Sequence, residues 1–130
     1  MFTINQIKEA HSKVKSGADF PKYIQELKKL SVVAYNIYVT DGHAEYTGAG
    51  NFTIASESKY PLLNIAETGS KEKLAHSLSI HQQGQTDYLT FCKQAAEAGV
   101  EKWTVHVVEM TCTYYDKTGN KLLVEKISVP

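Results

Sequence analysis

The stretch Asp19-Phe20-Pro21-Lys22-Tyr23, with Val32-Val33-Ala34-Tyr35-Asn36-Ile37-Tyr38-Val39 after it, is written a second time in this chain. Asp87-Tyr88 and Phe91 stand where Asp19-Phe20 and Tyr23 stand, 87 − 19 = 68 residues later. Val100, Trp103, Val105 and Val107 repeat Val32, Tyr35, Ile37 and Val39 at the same offset. Tyr46 falls on Tyr114. After a one-residue insertion, Gly50-Asn51 meets Gly119-Asn120. This spacing predicts an internal duplication, with copies over about 3–56 and 70–129 joined by 57–69, inside a single domain of 130 residues.

Working outward, each copy reads as two helices followed by a three-stranded meander. Thr3-Ile4-Asn5-Gln6 is a capping box. Ile4, Ile7, Ala10 and Val14 then recur at helical spacing to about Lys15, and Ser16-Gly17 ends the run. Asp19 is expected to cap the second helix. Pro21 is tolerated in the first turn, where N–H groups have no intrahelical partner. Phe20, Tyr23, Ile24, Leu27 and Leu30 form its apolar stripe. Val32 to Thr40 alternates with period two, placing Val33, Tyr35, Ile37 and Val39 on one face and Val32, Ala34, Asn36 and Tyr38 on the other. Asp41-Gly42 signals a hairpin into His43–Thr47, and Gly48 to Asn51 turns into Phe52–Ser56.

Tyr60-Pro61 breaks regular structure, and Leu62 to Ala66 is either a short strand or an apolar connector. In the second copy Ser70 caps helix three, whose Leu74 and Leu78 point inward. Thr86 or Asp87 caps helix four. The stripe Tyr88, Phe91, Cys92, Ala95 and Ala98 repeats that of helix two at the same offset. Strands follow over Lys102–Glu109, Thr111–Asp116 and Lys121–Val129. The second face of these strands is too polar to be covered. The expected fold is therefore a two-layer α+β domain with an antiparallel, continuous six-stranded sheet and its helices on one side.

Composition excludes several functions. Fourteen basic and fourteen acidic residues cancel, and no dense Lys/Arg patch offers itself to nucleic acid. No apolar run approaches a membrane span, and the opening segment lacks the layout of a secretion signal, so the expected location is cytoplasmic. Cys92 and Cys112 are expected to be reduced core thiols. Phosphate-binding loops, His-Glu-x-x-His, Cys-x-x-Cys and the Gly-x-Ser-x-Gly elbow are all missing. No catalytic residue, metal ligand or cofactor is assigned. His76 and His81 do not share a helix face, and Cys112 and His106 are expected on opposite faces of the sheet.

Two groups of polar residues remain as candidate sites. The first is His81-Gln82-Gln83-Gly84-Gln85-Thr86-Asp87. His81 lies on the face of Leu74 and Leu78, so its imidazole needs an inward partner: Asp87, a glutamine or a ligand. A ligand pocket would use His81, Gln83, Gln85 and Asp87. His11, at the border of the first helix's apolar face, reads as a satisfied core histidine. The second group is the polar sheet face. Asn36, Tyr38, Glu45 and Thr47 match Thr104, His106, Thr113 and Tyr115, and Tyr38, His106, Thr113 and Tyr115 mark a binding surface for a protein or small ligand.

His81-Gln82-Gln83-Gly84-Gln85-Thr86-Asp87-Tyr88, Ala95-Ala96-Glu97-Ala98-Gly99-Val100-Glu101-Lys102-Trp103 and Met110-Thr111-Cys112-Thr113-Tyr114-Tyr115-Asp116 resemble the bacterial and prophage "phage envelope protein" (YbcV-like) family, over nearly the whole chain. That family has no assigned activity, so the resemblance implies no active-site residues. Its name implies a virion role. Together these readings favour a small cytoplasmic binding or interaction domain of prophage origin, with a homodimer through a strand edge as one assembly. The alternatives are an enzyme or ligand sensor with a pocket near His81 and Asp87, and a structural phage component.

Overall fold

The computed structural model describes residues 2–14 and 19–127. Helix α1 spans Ile4–Ser12. Thr3 Oγ1 accepts from Gln6 N at 3.2 Å, and Gln6 Oε1 accepts from Thr3 N at 2.8 Å, so the predicted capping box is complete. The predicted end of this helix, at Lys15 and Ser16-Gly17, lies outside the described residues. Helix α2 spans Phe20–Lys29 with Pro21 in its first turn. Asp19 precedes it, but its side chain makes no capping bond to the helix. Its own backbone is already helical (φ −88°, ψ −10°), whereas a cap needs an extended conformation to turn its oxygen back onto the first turn.

Helices α3, Lys71–Gln82, and α4, Tyr88–Glu97, are capped as their sequences require: Ser70 accepts from Lys73 N, and Asp87 accepts from Thr90 N. The six strands are β1 Val32–Tyr38, β2 Ala44–Gly48, β3 Thr53–Ala55, β4 Lys102–His106, β5 Thr111–Tyr115 and β6 Lys121–Lys126. They form one antiparallel sheet in the order β3-β2-β1-β4-β5-β6. Two of its ladders share one residue offset. Tyr35 faces Tyr46 in β1–β2 and Trp103 faces Tyr114 in β4–β5, and 103 − 35 and 114 − 46 are both 68. At the centre Asn36 faces Thr104, again 68 residues later.

The chain enters β1 through a bulge between Val32 and Ala34. The extra residue shifts the alternation by one. Val32 is therefore buried at 1% exposure while Val33 is 43% exposed, the reverse of the facing that simple period-two reading predicts. From Ala34 onward the two agree. Strands β3 and β4 are shorter than the sequence suggests, because 107–110 turns before β5, with Met110 at φ 57°, and Phe52 follows a short 3-10 turn over Ala49–Asn51, while the predicted end of the last strand, at Val129, lies outside the described residues.

One face of the sheet contributes Tyr35, Tyr46, Trp103, Val105, Cys112 and Tyr114 to a core shared with Ile24 and Leu27 of α2, Leu74 of α3, and Phe91, Cys92 and Ala95 of α4. The helices cover that face. The connector 56–70 contains no helix or strand, yet it is anchored along its length. Lys59 N donates to Asp41 O (2.8 Å), Leu63 N to Thr40 O (2.7 Å), Ala66 N to Ala96 O (2.9 Å) and Ser70 N to Ala98 O (2.8 Å). Tyr60 Oη donates to Val39 O at 2.6 Å.

Candidate functional site

The uncovered face of the sheet gathers residues from all six strands. Register alone lays out its central row: Ala55, Glu45, Asn36, Thr104, Thr113 and Val124. Thr104 Oγ1 donates to Asn36 Oδ1 at 2.5 Å, which satisfies both side chains at the middle of the face. Thr113 faces the same side but is only 5% exposed. His106 lies one row away, opposite Ala34 and Thr111.

The row on the other side is an aromatic and cationic ridge: His43, Tyr38, Lys102 and Tyr115. The His43 and Tyr38 rings stack at 4.5 Å with 9° between their planes. Lys102 Nζ lies 5.4 Å from the centre of the Tyr115 ring, within range of a cation–π contact. Burial, and then the carboxylates of Glu45 and Glu101, push the Tyr38 phenol upward, so it stays a neutral donor at physiological pH. Of the four residues expected to mark a binding surface, Tyr38 and Tyr115 thus share one row, while Thr113 and His106 occupy the next two.

His43 was not among the expected residues. Asp41-Gly42 reads in sequence as turn punctuation, but the Asp41 side chain also closes over the residue two positions on, as aspartate does in such turns. Asp41 Oδ1 accepts from His43 N at 3.0 Å and lies 2.5 Å from His43 Nδ1, and its Oδ2 accepts from Ser58 Oγ at 2.9 Å. Burial alone raises the Asp41 carboxyl, but the bonds from His43 and Ser58 outweigh it and hold the group below the usual carboxylate range.

The segment 81–87 is bonded to helix ends, to itself and, through Gln82 Nε2 donating to Glu125 Oε2 (3.3 Å), to β6. His81 does turn inward, and stacks on Phe91 at 4.8 Å with 19° between planes. Its partner is Thr86: Nδ1 is 3.0 Å from the Thr86 carbonyl oxygen and 3.1 Å from Oγ1. Gln83 and Gln85 are exposed, with Gln85 Nε2 donating to Gln83 Oε1 (2.8 Å) and Gln83 Nε2 to Ser79 Oγ (3.2 Å). Asp87 Oδ1 accepts from Thr90 N at 2.7 Å, a bond that holds its carboxyl below the ordinary value. A group with a depressed folded pKa stabilises above the unfolded value and loses that contribution as pH falls through the folded one. Asp87→Ala is therefore expected to lower the melting temperature by about 3 °C at neutral pH. The gap should narrow at acid pH, as the carboxyl is protonated through its lowered folded pKa. Equal gaps at both pH values would show that the cap contributes nothing through its charge.

Cys112 pairs with Val105 and points into the core, while His106 stands on the open face, so the two do not meet. Burial pushes both thiols up, Cys112 to about 12, which keeps them protonated and unreactive at neutral pH. His11 is exposed, not the core histidine its helical position suggests, and meets Tyr23 edge-on at 5.2 Å; partial desolvation on that side of the ring, and then Lys59, lower its pKa. Among the described residues no group of three or more His, Cys, Asp or Glu side chains is placed to hold a metal ion. No helix there is long and apolar enough to cross a membrane.

Two adjoining open hollows of about 300 and 250 Å³ lie between α1 and α2, sharing Ala10, Lys13 and Glu26. Acidic and basic side chains alternate around them, and neither reaches the sheet face or the 81–87 segment. No curated protein matches the chain. A family model described as "Protein of unknown function (DUF1398)" matches residues 8–126, and the chain belongs to that family.

Proposed function

We propose that this is a small binding domain which engages a polypeptide partner through its open sheet face, along the ridge of His43, Tyr38, Lys102 and Tyr115. The observation that carries the reading is the ridge itself. Two amphipathic pairs, His43 stacked on Tyr38 and Lys102 over the Tyr115 ring, stand side by side in one row on a face no helix covers. Stacking fixes their rotamers in advance, so little side-chain entropy remains to be lost on association. Tyrosine tips and a lysine ammonium offer donors, and the rings offer apolar flanks.

The size of the face sets the kind of complex. Six strands about 4.8 Å apart and about five residues long give a flat footprint on the order of 400 Å². That falls short of the roughly 800 Å² per partner of a standard stable interface. A transient partner suits the face better than an obligate one.

The same reading takes the protein as cytoplasmic and of prophage-related origin, with the envelope-protein resemblance reflecting descent. It takes the halves as copies of one ancestral unit. The equal registers of β1–β2 and β4–β5 support that descent. A homodimer through the exposed edge of β6 belongs to this reading as well.

The test is capture of host proteins on immobilised protein. Lys102→Glu and Tyr115→Ala are each expected to reduce capture about tenfold, the loss of one well-placed contact. Lys8→Glu, on the exposed side of α1, should leave it unchanged. Capture indifferent to both sheet-face substitutions would refute the reading.

A further inference from the structure

We infer that Asp41 and His43 form a reactive imidazole site at the rim of the open face, one that takes acyl groups from small activated esters and passes them to water. This goes beyond the binding reading and does not depend on it.

The geometry is that of an oriented nucleophile. His43 Nδ1 lies 2.5 Å from a carboxylate oxygen, so in the neutral ring the proton sits on Nδ1, facing Asp41, and the lone pair is on Nε2. Among the described residues no hydrogen bond occupies Nε2, and a third of the His43 side chain is exposed (33%). His43 is also the one described histidine whose ring meets a carboxylate.

The support behind the pair is rigid. Asp41 takes three hydrogen bonds on its carboxylate and two more, from Lys59 N and Tyr60 N, on its backbone oxygen. Gly42, between the two residues, packs so closely on Tyr60 that a Cβ there would come within 2.5 Å of the ring. Tyr38 braces the other face of the imidazole. A side chain held this way loses little freedom when it reacts.

The chemistry balances without any other reagent than the ester and water. The Nε2 lone pair forms a bond to the acyl carbon, the carbon–oxygen bond to the leaving group breaks, and an aryloxide departs with that electron pair. Asp41 faces the positive charge this places on the ring. Water then adds to the acyl carbon, the carbon–nitrogen bond breaks, and the proton released neutralises the aryloxide. The net change is ester plus water to carboxylic acid plus phenol, with the imidazole restored.

The experiment is incubation of the full chain with p-nitrophenyl acetate at neutral pH. Release of p-nitrophenolate is followed, and acid-quenched protein is mapped by mass spectrometry for acetyl groups. The acetyl group is expected on His43. His43→Gln should slow release about tenfold, and Asp41→Asn about threefold by freeing the ring to turn. An acetyl group found on His11, His76, His81, His106 or a lysine in preference to His43 would overturn the inference. So would an unchanged rate in folded His43→Gln. Because the mapping uses the native protein, a variant that fails to fold does not spare the idea.

Discussion

Gly99→Ala is expected to destabilise the protein by about 4 kcal/mol, and Gly84→Ala by only about 1 kcal/mol, although both glycines follow helices with nearly the same backbone twist. Gly99 has φ 83° and Gly84 has φ 77°, so the left-handed penalty of roughly 1–2 kcal/mol is common to the two. Their surroundings differ. A Cβ on Gly84 would meet nothing within 4 Å. A Cβ on Gly99 would lie 2.6 Å from Thr68 O, 2.7 Å from Gly69 Cα and 2.9 Å from Gly69 N. Those are backbone atoms, and they cannot swing aside as a side-chain tip would. The connector is fixed there by the bond from Ser70 N to Ala98 O, so relief requires separating it from the end of α4. Urea unfolding of the two variants side by side measures the difference. Equal losses would mean the connector is not seated against α4.

Trp103→Ala should cost about 3–5 kcal/mol, the range for removing a large buried aromatic. Trp103 is the only tryptophan and is 7% exposed. Its ring centre lies 5.7 Å from Phe91, 5.8 Å from Tyr114 and 6.4 Å from Tyr88, which joins α4 to β4 and β5. Truncation removes the transfer free energy of the ring, and also leaves three aromatic neighbours facing a void they cannot close together. Val124→Ala, at a position 56% exposed on the open face, should change stability by less than about 0.5 kcal/mol. Thermal unfolding followed by circular dichroism reports both. A Trp103→Ala loss below about 1.5 kcal/mol would count against a single close-packed core.

Much of this architecture is legible in the sequence because local patterns and global packing agree. Stripes such as Tyr23, Ile24 and Leu27, the Thr3 capping box, and the alternation from Ala34 to Tyr38 each have one physical solution. Features that depend on a single inserted residue, or on contacts between distant segments, are not legible in this way. The bulge at Val32–Ala34 leaves no compositional mark, yet it exchanges the environments of two valines. Asp19 sits at a helix start, but its own backbone is already helical, an angle that residue type does not fix. The inward turn of His81 followed from helical spacing. Its acceptor, the Thr86 carbonyl, belongs to a loop whose path spacing does not fix. The Asp41–His43 pair was hidden because one residue pattern serves both a turn and a side-chain bridge, and Ser58 reaches it only once the connector has folded back.

The ladder between Val32–Tyr38 and Lys102–His106 splices the two halves of the sheet along their innermost strands. Neither half therefore owns a finished margin. A nascent chain that has emerged only through Ala55 can pair β1 with β2, but it would leave the other edge of that seven-residue strand open, Tyr35 and Val33 among its side chains. Such a strand is a template for any other extended segment nearby. Until residue 106 arrives to cover it, the growing polypeptide is at its most adhesive, and synthesis of the second half is also what shields the first.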